Sequence, residues 1–521
     1  MLAALVSACG GSPAQIVDYS PLRSAQGVPT VEPIKIAFDH AVDQQSVAER
    51  LHLSPDVDGR ITWLSDRSLE YDHPTLSPAT TYEVILEAGY RDAAGNVYVL
   101  RHHWSFVTEQ APSLTASSPG DGATHIDPAD YLTVDFTRTM NAETLRSAIA
   151  FNPQVAFSVR TDPSDARRAI VAPKALLDAN TDYTLLISTA AADVDGNELD
   201  HVHTIRFSTG AIGALHHWIA FATLSATGGA GGVWIVNESG FPRELLDTGL
   251  VQSFGWSPDG TRLVYESESG VWFSFTPGDQ PQALDFSGSW AAALATGDGY
   301  AFLDPSGVLR HEAAGGSSTA IATNVSSAAV SPDGTRIAYT EPQADGSALI
   351  WGYDVSLRSH YVLATEKSGV SALAWAPNGR RLAYLRSSDT GTLTLRVLGL
   401  AGTASVTTIA TGELGAPVWL RDSDHLVIAA TVRVAGAPIR KAFLLNVAAP
   451  PAALTGAIAL PSDPDVDVAD PVPSPDGHQI AFISGNQVWI MNADGTRPTP
   501  LTRYDSGSFP YSCLMPAWTR S

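Results

Sequence analysis

The stretch WSPDGTRLVY at residues 256–265 recurs along the second half of the chain. Its close copies are VSPDGTRIAY at 330–339, WAPNGRRLAY at 375–384 and PSPDGHQIAF at 473–482. In most copies, proline sets the backbone of the first turn position, and Asp-Gly or Asn-Gly allows the positive φ of a tight hairpin. The apolar residues that follow are typical of a buried strand. The repeated unit is therefore predicted to be strand, turn, strand.

Two degenerate copies of the repeat lie between the regular ones, ALATGDGYAF at 293–302 and VWLRDSDHLV at 418–427. The serine position of the unit then falls at residues 257, 295, 331, 376, 420 and 474, in steps of 38, 36, 45, 44 and 54 residues. These steps are near the period of a four-stranded propeller blade. The chain ends in the first half of a unit, PAWTRS at 516–521, and HWIAFA at 217–222 supplies a second half. The sequence predicts seven blades closed by a blade that both ends share, or six if the copy near 295 is not a blade.

These Ser-Pro-Asp-Gly units resemble the WD-like repeats of TolB-type periplasmic propellers. The segment VWIMNADG at 488–495, with PLT at 500–502, resembles them too. The resemblance covers residues 211–521 and implies a rigid binding platform. It implies no particular chemistry, because a fold does not determine a function.

A different repeat precedes the propeller, since residues 28–109 and 112–210 align with each other. Four landmarks match in one order: IKIAFD at 34–39 with LTVDF at 132–136, LSPATTYEV at 76–84 with LDANTDYTL at 177–185, DAAGN at 92–96 with DVDGN at 193–197, and WSFVT at 104–108 with IRFST at 205–209. The landmarks alternate as strands do, and Asp-x-x-Gly-Asn supplies the residues that a hairpin turn requires. About seven such strands in ~90 residues predict a β-sandwich.

The landmarks resemble the bacterial Ig-like domain of the SbsA type, which recurs in surface-layer proteins and envelope lipoproteins as a spacer or adhesive module. The predicted fold class is therefore all-β. We expect one Ig-like sandwich at 24–110, a second at 111–210 and the propeller at 211–521.

The first residues, MLAALVSACGGS, form an apolar stretch that ends in small residues, as the end of a secretory signal does. Val6-Ser7-Ala8-Cys9 resembles the lipobox of bacterial lipoproteins, which implies that Cys9 carries the lipid. Two acyl chains are enough for stable anchoring. No Lys or Arg precedes Arg23, so residues 1–23 are assigned to a truncated lipoprotein signal and a linker. A plain signal, or a chance Ala/Leu-rich start, is the alternative.

Composition excludes several classes of protein. The formal net charge is −23, and an acidic surface repels the phosphate groups of nucleic acids and anionic lipids. The chain has 2 cysteines, at opposite ends, which excludes a disulfide-rich scaffold and any multi-cysteine metal site. We expect no nucleic-acid partner, and membrane contact through the lipid anchor alone.

A search for catalytic motifs finds no Gly-x-Ser-x-Gly elbow, no His-Glu-x-x-His, no Walker loop and no Gly-x-Gly-x-x-Gly segment. We therefore expect no enzyme activity, no cofactor and no metal ion. The pairs His102-His103 and His216-His217 place neighbouring side chains on opposite strand faces, which favours ordinary surface or interface histidines over two ligands of one metal ion.

Two acidic segments have a functional alternative. In an EF-hand, Gly stands at position six and Glu at twelve, whereas counting from Asp193 puts Gly196 at four and Thr204 at twelve. The turn interpretation of Asp193, Asp195 and Asn197 is favoured over a looser calcium site. A solvated loop is favoured over a metal or partner site for the cluster Asp463, Asp465, Asp467 and Asp470.

Tryptophans at repeating positions indicate packing within blades, although a carbohydrate platform would use any that are exposed. They are Trp234, Trp256, Trp272, Trp351, Trp375, Trp419, Trp489 and Trp518.

Together these features predict a non-catalytic, lipid-anchored protein of a bacterial envelope, whose propeller binds a protein or a glycan. The alternatives are a propeller glycan hydrolase or lyase that uses carboxylates from several blades, and a structural component of a surface layer.

Overall fold

The computed structural model describes residues 12–212, 215, 217–225, 231–295, 299–313, 316–388, 390–401, 405–434, 437–451, 453–461, 466–504, 507–508 and 511–519. These residues form two compact units. The first ends at Thr209 and holds two β-sandwiches. The second begins at Gly210 and holds the propeller, together with the short segments Asp127–Ala129 and Pro173–Asn180. Among the described residues, no helix has the length and apolar character that a membrane span requires.

The first sandwich contains seven strands in two sheets, ordered β1-β2-β5-β4 and β3-β6-β7. Its elements are β1 (Ile16–Ser20), β2 (Ile34–Phe38), α1 (Gln44–Ala48), β3 (Leu51–Ser54), β4 (Arg60–Trp63), β5 (Ser68–Asp72), β6 (Thr81–Leu86) and β7 (His102–Val107). The predicted alternation is present in β2, where Ile34, Ile36 and Phe38 are buried and Lys35 is exposed. Apolar residues on one face of each strand therefore form the core between the sheets.

The first sandwich starts earlier than the sequence predicted. Residues 12–23 were assigned to a signal and linker, but β1 pairs with β2 in the same sheet. Ala14 is buried in the core, and its carbonyl accepts a hydrogen bond of 2.7 Å from the Tyr90 hydroxyl. The segment was missed because it is short and its apolar and polar residues do not alternate clearly.

The second sandwich repeats this plan with eight strands, in sheets ordered β12-β13-β10-β8 and β11-β14-β15-β9. Its elements are β8 (Leu114–Ser118), β9 (Ala123–Ile126), β10 (Leu132–Phe136), α2 (Ala142–Ala148), β11 (Ile149–Asn152), β12 (Phe157–Asp162), β13 (Asp165–Pro173), β14 (Asp182–Ile187) and β15 (His203–Thr209). The Asp-x-x-Gly-Asn segments form tight turns in both sandwiches, with φ of 87° at Gly95 and at Gly196. The turn prediction is confirmed.

The second unit contains seven four-stranded sheets among its described residues, one for each predicted blade. Six of them follow the chain: β19 (Val251–Trp256), β20 (Leu263–Ser267), β21 (Trp272–Phe275) and β22 (Gln282–Ala283); β23 (Trp290–Ala293), β24 (Tyr300–Leu303), β25 (Leu309–Glu312) and β26 (Ser318–Ala322); β27 (Ser327–Val330), β28 (Arg336–Pro342), β29 (Ala348–Asp354) and β30 (Ser359–Glu366); β31 (Val370–Trp375), β32 (Arg381–Ser387), β33 (Leu393–Gly399) and β34 (Ser405–Gly412); β35 (Leu414–Trp419), β36 (His425–Val434), β37 (Ala437–Asn446) and β38 (Ile458–Leu460); β39 (Ala469–Pro473), β40 (Gln479–Ser484), β41 (Gln487–Asn492) and β42 (Thr499–Pro500).

The seventh blade joins the two ends of the unit, as the sequence predicted. It is composed of β45 (Tyr511–Trp518), β16 (Ile219–Ser225), β17 (Gly232–Val236) and β18 (Arg243–Asp247), and β16 pairs with β45. A 3-10 turn at Leu454–Gly456 and a small hairpin of β43 (Arg503–Tyr504) and β44 (Gly507–Ser508) lie between blade strands. The first strands of neighbouring blades contact one another all round, from β19 through β39 to β45 and back to β19. They form the inner ring of a closed seven-bladed propeller, which leaves no blade with a free side.

The degenerate copy near residue 295 is a blade, but its register was predicted one residue too late. Ala293 pairs with Tyr300 as Trp256 pairs with Leu263, so Leu294, not Ala295, takes the place of Ser257. This copy lacks the Ser-Pro anchor that fixes the alignment of the others.

Candidate functional site

The serine and aspartate side chains of the Ser-Pro-Asp-Gly turn form hydrogen bonds within the turn. The Ser257 hydroxyl donates to Asp259 at 2.5 Å and accepts the amide of Arg262 at 3.0 Å, and Asp259 also accepts the amide of Thr261. The same bonds recur at Ser331 and Ser474. Each turn therefore holds a fixed shape at the end of an inner-ring strand.

Neighbouring turns also touch each other. Gly334 has a φ of 71°, and a Cβ on it would lie 2.4 Å from the backbone nitrogen of Ala295 in the preceding blade. Glycine is required there both by the positive φ and by the close approach.

Tryptophans at the ends of the inner-ring strands connect one blade to the next. The indole N–H of Trp375 donates to the Ala329 carbonyl at 3.1 Å, and that of Trp419 donates to the Ala374 carbonyl at 3.0 Å. Trp518 bonds the Val472 carbonyl in the same way at 2.9 Å. These tryptophans are rigid parts of the inner ring, and their buried faces serve packing.

An open cavity of about 490 Å³ lies inside this ring, which we call the axial cavity. Residues from five blades line it, so it lies where the inner-ring strands end around the propeller axis. Its lining residues are Pro258, Ala329, Val330, Pro332, Leu373, Ala374, Trp375, Pro377, Pro417, Val418, Trp419, Arg421, Val472, Pro473, Ser474 and Pro475. The wall is largely apolar, which is the usual composition of a ligand pocket.

Arg421 is the one charged residue among these described lining residues. It occupies the position of Pro258, Pro332, Pro377 and Pro475 in its copy of the repeat, two residues after Trp419. Its side chain is exposed. A guanidinium thus stands in a ring of prolines, where it can donate to a carbonyl or carboxylate of a bound molecule.

A second cavity, of about 560 Å³, shares Arg421 with the first; we call it the acidic cavity. It lies between two blades and is lined by Leu420, Arg421, Asp422, His425, Leu444, Asp476, Gly477, Ala493 and Asp494. Nδ1 of His425 lies 2.6 Å from Asp422 Oδ2, and its Nε2 lies 3.2 Å from Nδ2 of the Asn446 side chain.

All three carboxyl groups of the acidic cavity have a pKa below the ordinary value. Burial raises the pKa of Asp422, but hydrogen bonds from the backbone of Asp424 and from His425 lower it further than burial raises it. The same balance holds for Asp476, through the backbone of His478 and the Ser474 hydroxyl. For Asp494, the Thr496 hydroxyl and amide lower the pKa. The cavity therefore presents three carboxylates at neutral pH and favours a cationic group.

The acidic loop of the second sandwich holds an arginine. Arg138 donates from Nε to Asp193 at 2.6 Å, from Nη2 to Asp195 at 2.8 Å and from Nη1 to Glu109 at 2.7 Å. The guanidinium thus lies among the three carboxylates that a cation there would need. The structure favours the turn interpretation over a calcium site.

The remaining candidates are spread over the chain. His102 and His103 lie on opposite faces of β7, half-buried and exposed, as expected. His217 is exposed, and His216 lies outside the described residues. Asp467 accepts the backbone amide of Arg440 at 2.8 Å. Cys9, Asp463 and Asp465 also lie outside the described residues.

Six of the eight repeat tryptophans are buried, and Trp351 and Trp489 are half-buried. The packing interpretation is confirmed for the buried ones. The sequence analysis did not identify Arg421 or the cavities as functional features. Arg421 could have been noticed, because it stands at a position that is proline in the regular copies of the repeat.

Comparison with known proteins supports the two sandwiches directly. Residues 11–108 and 109–209 each match the family model of the bacterial Ig-like domain. No curated protein matches the chain.

Among solved structures, the chain is similar to TolB from Acinetobacter baumannii, with 14% identity over 73% of this chain and 85% of that chain and a TM-score of 0.35. It is also similar to oligogalacturonate lyase from Vibrio parahaemolyticus, with 10% identity over 54% and 84% of the two chains and a TM-score of 0.38. An oligogalacturonate lyase in complex with manganese shows 12% identity over 56% and 87%, with a TM-score of 0.40. At these identities the similarity concerns the fold.

Proposed function

We propose that the propeller is a non-catalytic binding domain and that its ligand is a protein segment that enters the axial cavity. The observation that carries this proposal is the apolar cavity of about 490 Å³ on the propeller axis, with Arg421 in its wall. Pockets for small ligands or side chains typically have volumes of ~300 to 1,000 Å³, so this cavity has room for one or two side chains.

The chemistry of the walls favours a protein over a glycan. Sugars stack on the exposed faces of aromatic rings, whereas Trp375 and Trp419 are each only 8% exposed and use their indole N–H groups to connect blades. Proline rings and aliphatic side chains form most of the surface that remains. Such a surface binds apolar side chains through the removal of water.

The charges around the cavities define the ligand further. The acidic cavity, with Asp422, Asp476 and Asp494, attracts a lysine or arginine side chain. Arg421 lies in the walls of both cavities and can bond a carbonyl or carboxylate of the same segment. The proposed ligand is therefore a segment with an apolar side chain next to a basic one.

Two variants of the full chain test this proposal. Val330→Trp places in the cavity wall the residue that Trp375 and Trp419 already provide in two other blades, so the fold should tolerate it while the cavity becomes smaller. Arg421→Glu reverses the charge. Proteins captured and crosslinked from envelope extracts should bind each variant at least about tenfold more weakly, the loss typical of central interface residues.

The matched control is Arg380→Ala, which removes an exposed arginine from the turn of another blade and should leave capture unchanged. A partner that binds both cavity variants as tightly as the parent chain would contradict the proposal.

The enzyme hypothesis is supported by the acidic cavity, where the His425–Asp422 pair could act as a general base. A glycan hydrolase also needs a carboxyl group with a raised pKa as its acid, and the three carboxyl groups here have lowered values. Turnover of a polysaccharide by the full chain that disappears in His425→Ala would replace the binding proposal with the enzyme.

We further propose that the protein lies outside the cytoplasm and is anchored through lipid on Cys9, as the Val6–Cys9 segment suggests. Mass spectrometry of the mature N-terminus should find a diacylated Cys9, absent from Cys9→Ser. An unmodified terminus or a cleavage further downstream would contradict the anchor.

A further inference from the structure

Two histidines and an aspartate come together where β15 of the second sandwich begins, in the segment Asp200-His201-Val202-His203. Side chains two residues apart in an extended segment point the same way. The rings of His201 and His203 accordingly lie 4.0 Å apart between centroids, with 40° between their planes.

One carboxylate oxygen of Asp200 lies near a nitrogen of each ring. Asp200 Oδ1 is 3.1 Å from His201 Nδ1 and 3.1 Å from His203 Nε2, and one ligand atom from each residue lies within 4.8 Å of the others. Bonds of about 2.0 to 2.1 Å to a tetrahedral zinc ion place neighbouring ligand atoms about 3.3 Å apart. The three side chains therefore need only small movements to bind one ion.

The supporting contacts hold this arrangement in place. The amide of Asp200 donates to the Pro112 carbonyl at 3.0 Å, and its carboxylate accepts the amide of His201 at 2.8 Å and the hydroxyl of Ser113. His203 is fixed by pairing with Ile187 across the sheet. Hydrogen bonds that orient metal ligands in this way increase metal affinity.

The group is also open to solvent, because the side chains of His201, Asp200 and His203 are 64%, 32% and 12% exposed. Solvent access leaves a fourth position for water, or for a group from another molecule, beside three protein ligands.

The first sandwich provides an internal contrast. The amide of Tyr98 bonds the Tyr90 carbonyl at 2.9 Å, as the amide of Leu199 bonds the Ala191 carbonyl at 2.8 Å, so these positions are equivalent. Val99 and Leu100 then stand where the second sandwich has Asp200 and His201. The first sandwich has a histidine, His102, but neither of the other two ligands.

We propose that Asp200, His201 and His203 form a binding site for one divalent transition-metal ion, with Zn²⁺ the best match. Two imidazoles and one carboxylate are ligands that zinc and its neighbours accept. Calcium and magnesium require oxygen ligands, which this group supplies from Asp200 alone.

The test is titration of the full chain with zinc chloride against a chromophoric chelator. One zinc ion per chain should bind, and excess calcium or magnesium should not displace it. His201→Ala and Asp200→Asn should each weaken binding at least about tenfold. The matched control is His103→Ala, which removes an exposed histidine with one carboxylate neighbour, Glu83 at 2.6 Å, and should change nothing.

Cobalt provides a second measurement. The Co²⁺-loaded chain should show the intense visible absorption of tetrahedral cobalt, and His201→Ala should abolish it. Circular dichroism should show the variants folded, since the His201 side chain is 64% exposed. Zinc binding that both variants retain, or a chain that binds no zinc at micromolar concentration, would overturn the proposal.

Discussion

The Asp-x-x-Gly-Asn turn occurs once in each sandwich, with the same internal bonds but different surroundings. Asp92 accepts the amide and the side chain of Asn96 at 2.8 and 2.7 Å, and Asp193 accepts those of Asn197 at 2.9 and 3.0 Å. Two residues after Phe38 stands His40, 3.4 Å from Asp92, whereas two residues after Phe136 stands Arg138. One local sequence thus supports two different roles.

In the second sandwich the turn belongs to a buried network that includes the chain between the sandwiches. Glu109 follows β7, its side chain is 7% exposed, and it receives bonds from Arg138 at 2.7 Å and from Asn197 at 2.9 Å. Asn197 also accepts the Thr30 hydroxyl of the first sandwich at 2.7 Å. The His40 side chain, by contrast, is 43% exposed. The difference suggests that the second turn holds the two sandwiches together, while the first is a surface turn.

Arg138→Ala should produce the largest difference between the turns. Removing the guanidinium leaves the carboxylates of Asp193 and Glu109 buried without a cation, which should destabilise the sandwich unit by about 2 to 4 kcal/mol. His40→Ala should cost less than about 1 kcal/mol, because the His40 side chain is 43% exposed and lies 3.4 Å from Asp92. Urea unfolding, followed by hydrogen exchange of peptides from residues 12–209, measures both.

Arg138→Lys distinguishes charge from geometry in this network. A lysine keeps the charge but cannot reach three carboxylates from three separate nitrogens, so an intermediate loss is expected. Equal stability of the alanine variants at 40 and 138 would show that both turns are surface turns.

Asn197→Ala and Asn96→Ala compare the turns at a second position. Asn197 is 2% exposed and bonds Glu109, Asp193 and Thr30, whereas Asn96 is half-buried and its side chain bonds Asp92 alone among the residues that the structure describes. Losing an amide that satisfies buried partners costs about 1 to 3 kcal/mol, so the variant at 197 should lose more. Thermal unfolding measures the stability of the two variants. A greater loss of stability in Asn96→Ala than in Asn197→Ala would show that the first turn, not the second, is the structurally important one.

Local patterns in the sequence predicted much of the fold because six of the seven blades begin with a hairpin whose turn residues are adjacent in the chain. The predicted register was wrong by one residue in the copy at 293–302, where no Ser-Pro marks the turn. The prediction also missed β1, because residues 16–20 lack a clear alternation. The partners of Arg138 and the surroundings of Arg421 come from distant parts of the chain, and no spacing along the sequence shows them. The group of Asp200, His201 and His203 could have been found from the sequence, because alternate histidines beside an aspartate are a local signal. The sequence analysis did not identify it.

The smallest expected effect is the loss of stability of the first sandwich at acidic pH, through Asp92 of its turn. Burial raises the pKa of Asp92, but hydrogen bonds from Asn96, from His40 and from the backbone of Ala94 lower it further, so the folded pKa lies below the ordinary value. A depressed pKa stabilises the folded state above the unfolded value, about pH 4 for aspartate, and this stabilisation is lost as the pH falls through the folded pKa. Hydrogen exchange of peptides from the first sandwich should therefore become faster below about pH 4 relative to neutral pH, after correction for intrinsic rates. Asp92→Asn should make the pH dependence of exchange shallower. The control Asp18→Asn, at an exposed position of β1, should leave it unchanged. An unchanged pH dependence in Asp92→Asn would show that other carboxylates account for the acid sensitivity.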